Sequence, residues 1–268
     1  MQKDICTDNY ISDTIFIRDY KLYQSKNNKI IKVTDNNWHK LLEDYGWQKL
    51  HLNWIKRLNK SVRLSEIKNM KKQKRQNSKF GILDCGGSGD CFFSCVVESL
   101  NSEREVYDNY DVKILRELLA NSITSETFKL MIENYRILKD IGEFYDEWDP
   151  YSVLSEEDLK TELKKEGSNF MADHMILQLF HNLFSINIII LNSTQYKSQI
   201  DNTNNMFKLY NTGISYNKDL KTIILSYEDS EHFRLIGHLQ NNNMIILFND
   251  NTLPKEIINI IHEDLIRV

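Results

Sequence analysis

The chain has 268 residues, 41% of them apolar and 27% charged, with a net charge of −4, which suits one large domain, or a domain plus a smaller arm, whose core needs no covalent staples. Four cysteines in a chain this long argue against a disulfide framework and for free thiols in a reducing, intracellular and hence cytoplasmic compartment. No apolar run approaches the roughly 18 residues of a membrane span, and the N-terminal MQKDICTDNY lacks the apolar stretch of a secretory leader. Usage rich in Lys, Asn and Ile with two prolines fits an AT-rich genome, a viral one included.

The charge is unevenly spread. Residues 1–80 hold 18 Lys and Arg against 8 Asp and Glu, a net +10. The remaining residues hold 16 against 30, a net −14. A basic arm therefore precedes an acidic domain, and complementary potentials would steer the latter toward a basic partner.

In the arm, TIFIRDYKLY (14–23) and KIIKV (29–33) read as short strands. Residues 36–64 read as helical, broken near Gly46, with Trp38, Trp47 and Trp54 as small-domain core. KNMKKQKRQNSKF (68–80) is polar, positive and without apolar period, so it reads as a linker. Its KKQKR lacks interleaved aromatics and reads as a solvated run, so no nucleic-acid partner is expected. The pattern then becomes mixed α and β. Residues 92–100 have helical spacing. DVKILRELLANSI (111–123) places Val112, Leu115, Leu118 and Leu119 on one face, with Asp111 as N-cap. SEEDLKTELKKEG (155–167) opens on a capping box of Ser155 and Asp158 and stops at Gly167. MADHMILQLFHNLF (171–184) is a further apolar helix. It runs into INIIIL (186–191), a continuous β-branched run of the kind buried strands show. The apolar runs 222–227, 233–239 and 244–248 suggest a meander, and residues 253–266 close as a helix with Pro254 near its first turn.

The chemistry concentrates in ILDCGGSGDCFFSCVVESL (82–100), which holds Cys85, Cys91 and Cys95 and the glycines Gly86, Gly87 and Gly89. A glycine-rich turn leading into a helix puts Cys91 at the helix N-terminus, where free N–H groups and the helix dipole favour a thiolate. The same N–H groups can face an oxyanion. Cys95, four positions on, reads as small core packing. The three cysteines match no zinc spacing and no nearby His completes a set, so no metal is expected. GGSG lacks the Gly-Lys-Ser/Thr of a phosphate loop. A thiol nucleophile needs a base. Of the seven histidines, His39 and His51 lie in the arm, His174 and His181 in one helix, His238 inside a strand and His262 in the last helix. His232 stands at a loop-to-strand junction, where a scaffold presents catalytic side chains.

These residues resemble the ovarian-tumour (OTU) family of deubiquitinases. GSGDCFFSCVVESL is similar to its cysteine motif, Asp-Gly-x-Cys-x-Phe, with Gly89 at the glycine, Asp90 at the variable position, Cys91 at the cysteine and Phe93 at the phenylalanine. NFMADHMILQLFHNLFSINIIIL resembles its middle block, and HFRLIG its histidine motif. The blocks fall in family order over about residues 78–250; residues 1–75 have no counterpart. The resemblance implies an α/β (α+β) papain-like fold with a small central sheet flanked by helices and a protease domain over 76–268. The basic residues 1–75 read as a mixed N-terminal extension, a candidate substrate- or partner-binding arm. The resemblance further implies hydrolysis of isopeptide bonds at the C-terminus of ubiquitin or a ubiquitin-like modifier, without cofactor. Cys91 would be the nucleophile and His232 the base. The backbone N–H groups of Gly89, Asp90 and Cys91 would hold the oxyanion, and Gly87 and Phe233 would line the cleft. Polyubiquitin is then the expected partner. Two positions depart from the family. Ser88 stands where the family has aspartate. Arg234 stands where it often has Asp or Asn to orient the histidine, and a guanidinium accepts no hydrogen bond. Asp84, Ser88, Asn187, Asn192, Asn249 and Asp250 remain as candidate third residues. A catalytically inactive, ubiquitin-binding scaffold is the alternative, and another Cys–His hydrolase or acyltransferase a third reading.

Overall fold

Local signals place most elements of the chain, and non-local pairing places the rest. The computed structural model describes residues 9–10, 15–18, 21–26, 29–32, 46–66, 79–104, 109–192, 207–228, 232–241 and 243–266. The chain divides into two units, Met1–Leu83 with Ile236–Ile245, and Asp84–Leu235 with Ile246–Val268.

The smaller unit opens with β1 (Asn9–Tyr10), β2 (Ile15–Arg18), β3 (Lys21–Lys26) and β4 (Lys29–Lys32). These pair antiparallel in chain order, as the strand-like runs predict. The helical reading of 36–64 needs correction. Trp47–Lys49 is a strand, β5, and the helix α1 begins only at Leu52 and runs to Glu66. β5 pairs antiparallel with β6 (Phe80–Leu83), putting Trp47 opposite Leu83. Partners this far apart in sequence leave no local signature. Residues 36–45, with Trp38, lie outside the described residues, as do 67–78 of the expected linker. Trp47 and Trp54 are buried, as core tryptophans should be. Gly237 makes room for them: a Cβ there would lie 2.7 Å from both the Trp47 ring and the Met244 sulfur. His238 packs its ring on Phe80, centroids 4.6 Å apart, and its Nδ1 meets Gln240 Nε2 at 3.0 Å.

The larger unit is built on a mixed sheet flanked by helices. In chain order its helices are α2 (Cys91–Asn101), α3 (Val112–Asn121), α4 (Ser125–Asp140), α5 (Glu156–Leu163) and α6 (His174–Phe184). Next come β7 (Ile186–Asn192) and β8 (Lys221–Glu228). β9 (His232–Gln240) is shared, its first half belonging here and its second half to the smaller unit. β10 (Asn243–Ile245) and β11 (Leu247–Phe248) precede α7 (Lys255–Ile261), which Pro254 opens. β7 runs parallel to β8, and β9 runs antiparallel to β8 with Glu228 opposite His232. The run MIILF, expected as one strand, is two: β10 pairs with β9 and β11 with β8. The expected caps are present. Asp111 accepts from Ile114 N, and Ser155 and Asp158 form a reciprocal capping box. α4 was not foreseen, although Thr124 caps it and Glu126 and Lys139 suit its two ends. The core joins Phe92, Phe180 and Phe233 to Ile188, Ile224 and Leu235, each buried aromatic or aliphatic side chain contributing about 1.5–3 kcal/mol. α3 departs from the expected apolar face: Leu118 is exposed and Arg116 is buried.

Candidate active site

Cys91 is the first residue of α2, and the eight-residue stretch from Asp84 delivers it there. The turn is tight: Gly86 N donates to Asp84 Oδ1 at 3.2 Å, Asp90 N donates to Gly87 O at 3.3 Å, and Ser88 holds a left-handed φ of 59°. Gly89 is required for two reasons. Its φ is +91°, and a Cβ would lie 2.4 Å from the backbone of Gly167 and Ser168. So Gly89 lets two segments of main chain touch, whereas Gly87 has nothing within 4 Å of its would-be Cβ.

The start of β9 comes to the same place. Phe233 N donates to Cys91 Sγ at 3.5 Å, and Cys95 Sγ donates to Phe233 O at 3.7 Å. The residue bonded to the candidate nucleophile is thus the immediate chain neighbour of His232. The Phe233 ring is buried against Phe92 and Tyr227, so its expected place in the cleft is taken by its main chain. His232 Nε2 lies 3.2 Å from Asp84 Oδ1. A carboxylate only accepts, so in a neutral ring this contact selects the tautomer with the proton on Nε2 and the lone pair on Nδ1. Arg234 Nε stands 3.6 Å from Asp84 Oδ2. The cation at the position where an acceptor was expected flanks the acceptor that His232 uses.

Of the other candidate third residues, Asn187 and Asn249 have side chains engaged elsewhere. Asn187 is buried, donating to Asn217 O and Thr222 Oγ1 and accepting from Asn217 N. Asn249 holds the turn before α7 through Thr252 and Asn251. Asn192 ends β7 with its N donating to Lys208 O at 3.2 Å. Asp250 is exposed. Asp173 caps α6, accepting from Met175 N and Ile176 N.

Electrostatics refine the picture. Partial burial pushes the Asp84 carboxyl up, but the Gly86 amide, His232 and Arg234 together outweigh it and hold it below the ordinary carboxylate value. Burial dominates at Cys91 and lifts the thiol above its ordinary value, despite the amides of Phe233, Phe92 and Cys91 that pull it down; the charge of Asp84 adds to the rise. Burial thus opposes the thiolate that a helix N-terminus favours. No group of three or more His, Cys, Asp or Glu among the described residues is arranged to hold a metal, and no described helix is long and apolar enough to cross a membrane.

Sequence reasoning assigned Asp90 only its backbone. Its side chain is a hub: Oδ1 accepts from Arg116 Nε at 2.9 Å and Nη2 at 2.6 Å, and Oδ2 accepts from Gly167 N at 2.7 Å. The one available signal was an arginine between Leu115 and Leu119 on an otherwise apolar helix face.

No protein-family model matches the chain, and no curated protein matches it. Among solved structures it is similar to an ovarian tumour (OTU) domain in complex with ubiquitin, at 10% identity over 67% of this chain and 80% of that one, TM-score 0.38. It is also similar to an OTU deubiquitinase from Wolbachia pipientis wMel bound to ubiquitin, at 14% identity over 65% and 98% of the two chains, TM-score 0.37. A second structure of the Wolbachia enzyme gives 14% identity over 67% and 94%, TM-score 0.36.

Proposed function

We propose that the protein is a cysteine-type deubiquitinase, cleaving isopeptide bonds at the C-terminus of ubiquitin or a ubiquitin-like modifier. The observation that carries the reading is the His232–Asp84 contact at 3.2 Å beside a thiol held by the Phe233 amide at 3.5 Å. It supplies an orienting carboxylate that the family's usual position, Arg234, does not. In this mechanism His232 Nδ1 takes the Cys91 proton as Sγ attacks the carbonyl carbon, and the imidazolium is steadied by Asp84 through Nε2–H. Because burial raises the thiol's hold on its proton, the base acts during attack. The main-chain N–H groups of Gly89, Asp90 and Cys91 receive the oxyanion; that of Asp90 first releases its long bond to Gly87 O. His232 returns the proton to the leaving lysine amine, and water hydrolyses the thioester. The choice of substrate rests on the three motifs in family order and on the acidic residues after position 80, which suit the arginine-bearing tail of ubiquitin.

A ubiquitin probe with a C-terminal electrophile tests this. Covalent capture by the wild type, lost in Cys91→Ala and kept in Cys85→Ala and Cys95→Ala, is the expected result. Ubiquitin binding without capture would favour an inactive scaffold instead.

A further inference from the structure

Arg116 is an expensive residue to bury. Its side chain is fully inaccessible and that of Asp90 is 18% exposed. Burial lowers the arginine's proton affinity while Asp90 restores it. An interior ion pair rarely stabilises a fold more than apolar residues of the same volume would, so its partners must explain its presence. Beside the two bonds to Asp90, Nη1 donates to Leu163 O at 3.1 Å, and Nη2 to Phe170 O at 3.0 Å and Gly167 O at 3.4 Å. The guanidinium lies 3.8 Å over the Phe93 ring. It therefore grips Asp90, the residue before the candidate nucleophile, packs on Phe93 two residues after it, and ties both to the 163–170 segment.

Asp90 is also the N-cap residue of α2, yet its side chain makes no capping hydrogen bond. An aspartate at this position ordinarily accepts from the second or third N–H of its helix. Here Arg116 and Gly167 take its oxygens instead. The N–H groups of the first turn, beside the Cys91 thiol, are consequently not consumed by the carboxylate.

We infer that Arg116 is a positioning residue which, by holding the Asp90 carboxylate and tying it to the 163–170 segment, fixes the turn whose Gly89, Asp90 and Cys91 amides would receive the oxyanion. The inference rests on Cys91 being the nucleophile.

Two reactions of Cys91 separate this role from a merely structural one. Alkylation by chloroacetamide is a displacement without an oxyanion; hydrolysis of a ubiquitin C-terminal coumarin amide passes through one. In the full chain, Arg116→Lys should lower kcat for hydrolysis by about 10–1,000-fold, as loss of an oxyanion donor does. KM and the alkylation rate should stay within about 3-fold. Equal losses in both reactions, or full hydrolysis by a folded variant, would overturn the inference. Asp90→Asn, which keeps one acceptor, is read the same way and replaces Arg116→Lys if that variant does not fold. If the wild type leaves ubiquitin substrates untouched, the proposed function fails, and the clamp is tested by acylation of Cys91 with p-nitrophenyl acetate. The same selective loss supports it; parallel losses in acylation and alkylation sink it.

Discussion

Two aspartates bracket one turn and are treated oppositely. Asp84, at its start, has a side chain 47% exposed, meets His232 at 3.2 Å and stands 3.6 Å from Arg234. Asp90, at its end, is nearly buried, its Oδ1 accepting two N–H bonds from a fully buried arginine at 2.6 and 2.9 Å. The difference follows from what each carboxylate faces. Asp84 faces the ring proposed as the base, and its exposure to solvent limits the electrostatic cost of a change of charge there. Asp90 faces a cation that never titrates, so burial gives it directionality and a fixed place. One end of the turn is suited to proton traffic and the other to geometry.

The largest effect should come from closing the fixed end. Gly89→Ala puts a methyl 2.4 Å from the Gly167 backbone at a positive φ, and should cost about 3 kcal/mol or more in denaturant unfolding, with loss of turnover. Gly87→Ala meets nothing within 4 Å and should change stability by no more than about 0.5 kcal/mol. Turnover lost in a stable Gly87→Ala would put that glycine on the substrate path. Next in size is the open end. Asp84→Ala should lower kcat by about 100–10,000-fold through misorientation of His232, while stability changes little because the residue is half exposed. A variant with wild-type kcat would remove Asp84 from the mechanism.

The smallest effect concerns a third carboxylate, Asp146, whose contacts are the neutral donors Met171 N and Trp148 Nε1. Burial is the main cause that lifts it to about 6, with Asp173 adding to the rise. The folded form thus holds this proton more tightly than the unfolded chain does. Its contribution to stability is full below the unfolded value, near 4, and is lost as pH rises through about 6. Between pH 4 and 7 that loss should amount to about 1–3 kcal/mol, and Asp146→Asn should flatten the slope of unfolding free energy against pH. An unchanged slope would mean that Asp146 ionises as freely in the fold as outside it.

Much of the scaffold was legible because its signals are local. The Asp111 cap, the Ser155–Asp158 capping box and the β-branched run of β7 each need only a few neighbouring residues. Trp47 misled because helical spacing and a short strand share the same apolar residues, and only its pairing with β6 decides between them. α4 escaped because Leu130 and Ile137 stay exposed beside buried Met131, Ile132 and Tyr135, which blurs its apolar face.

At the site, the sequence by itself determined that a glycine turn leads a cysteine into a helix and that a histidine opens a strand, since both are features of adjacent residues. It left open what orients His232 and gave no hint of what the Asp90 side chain does. The tertiary structure decided both. Asp84 reaches His232 across 148 positions of chain and Arg116 reaches Asp90 across 26. Hydrogen bonds and ion pairs act over a few ångströms of space, and such distances are set only when the segments fold against one another.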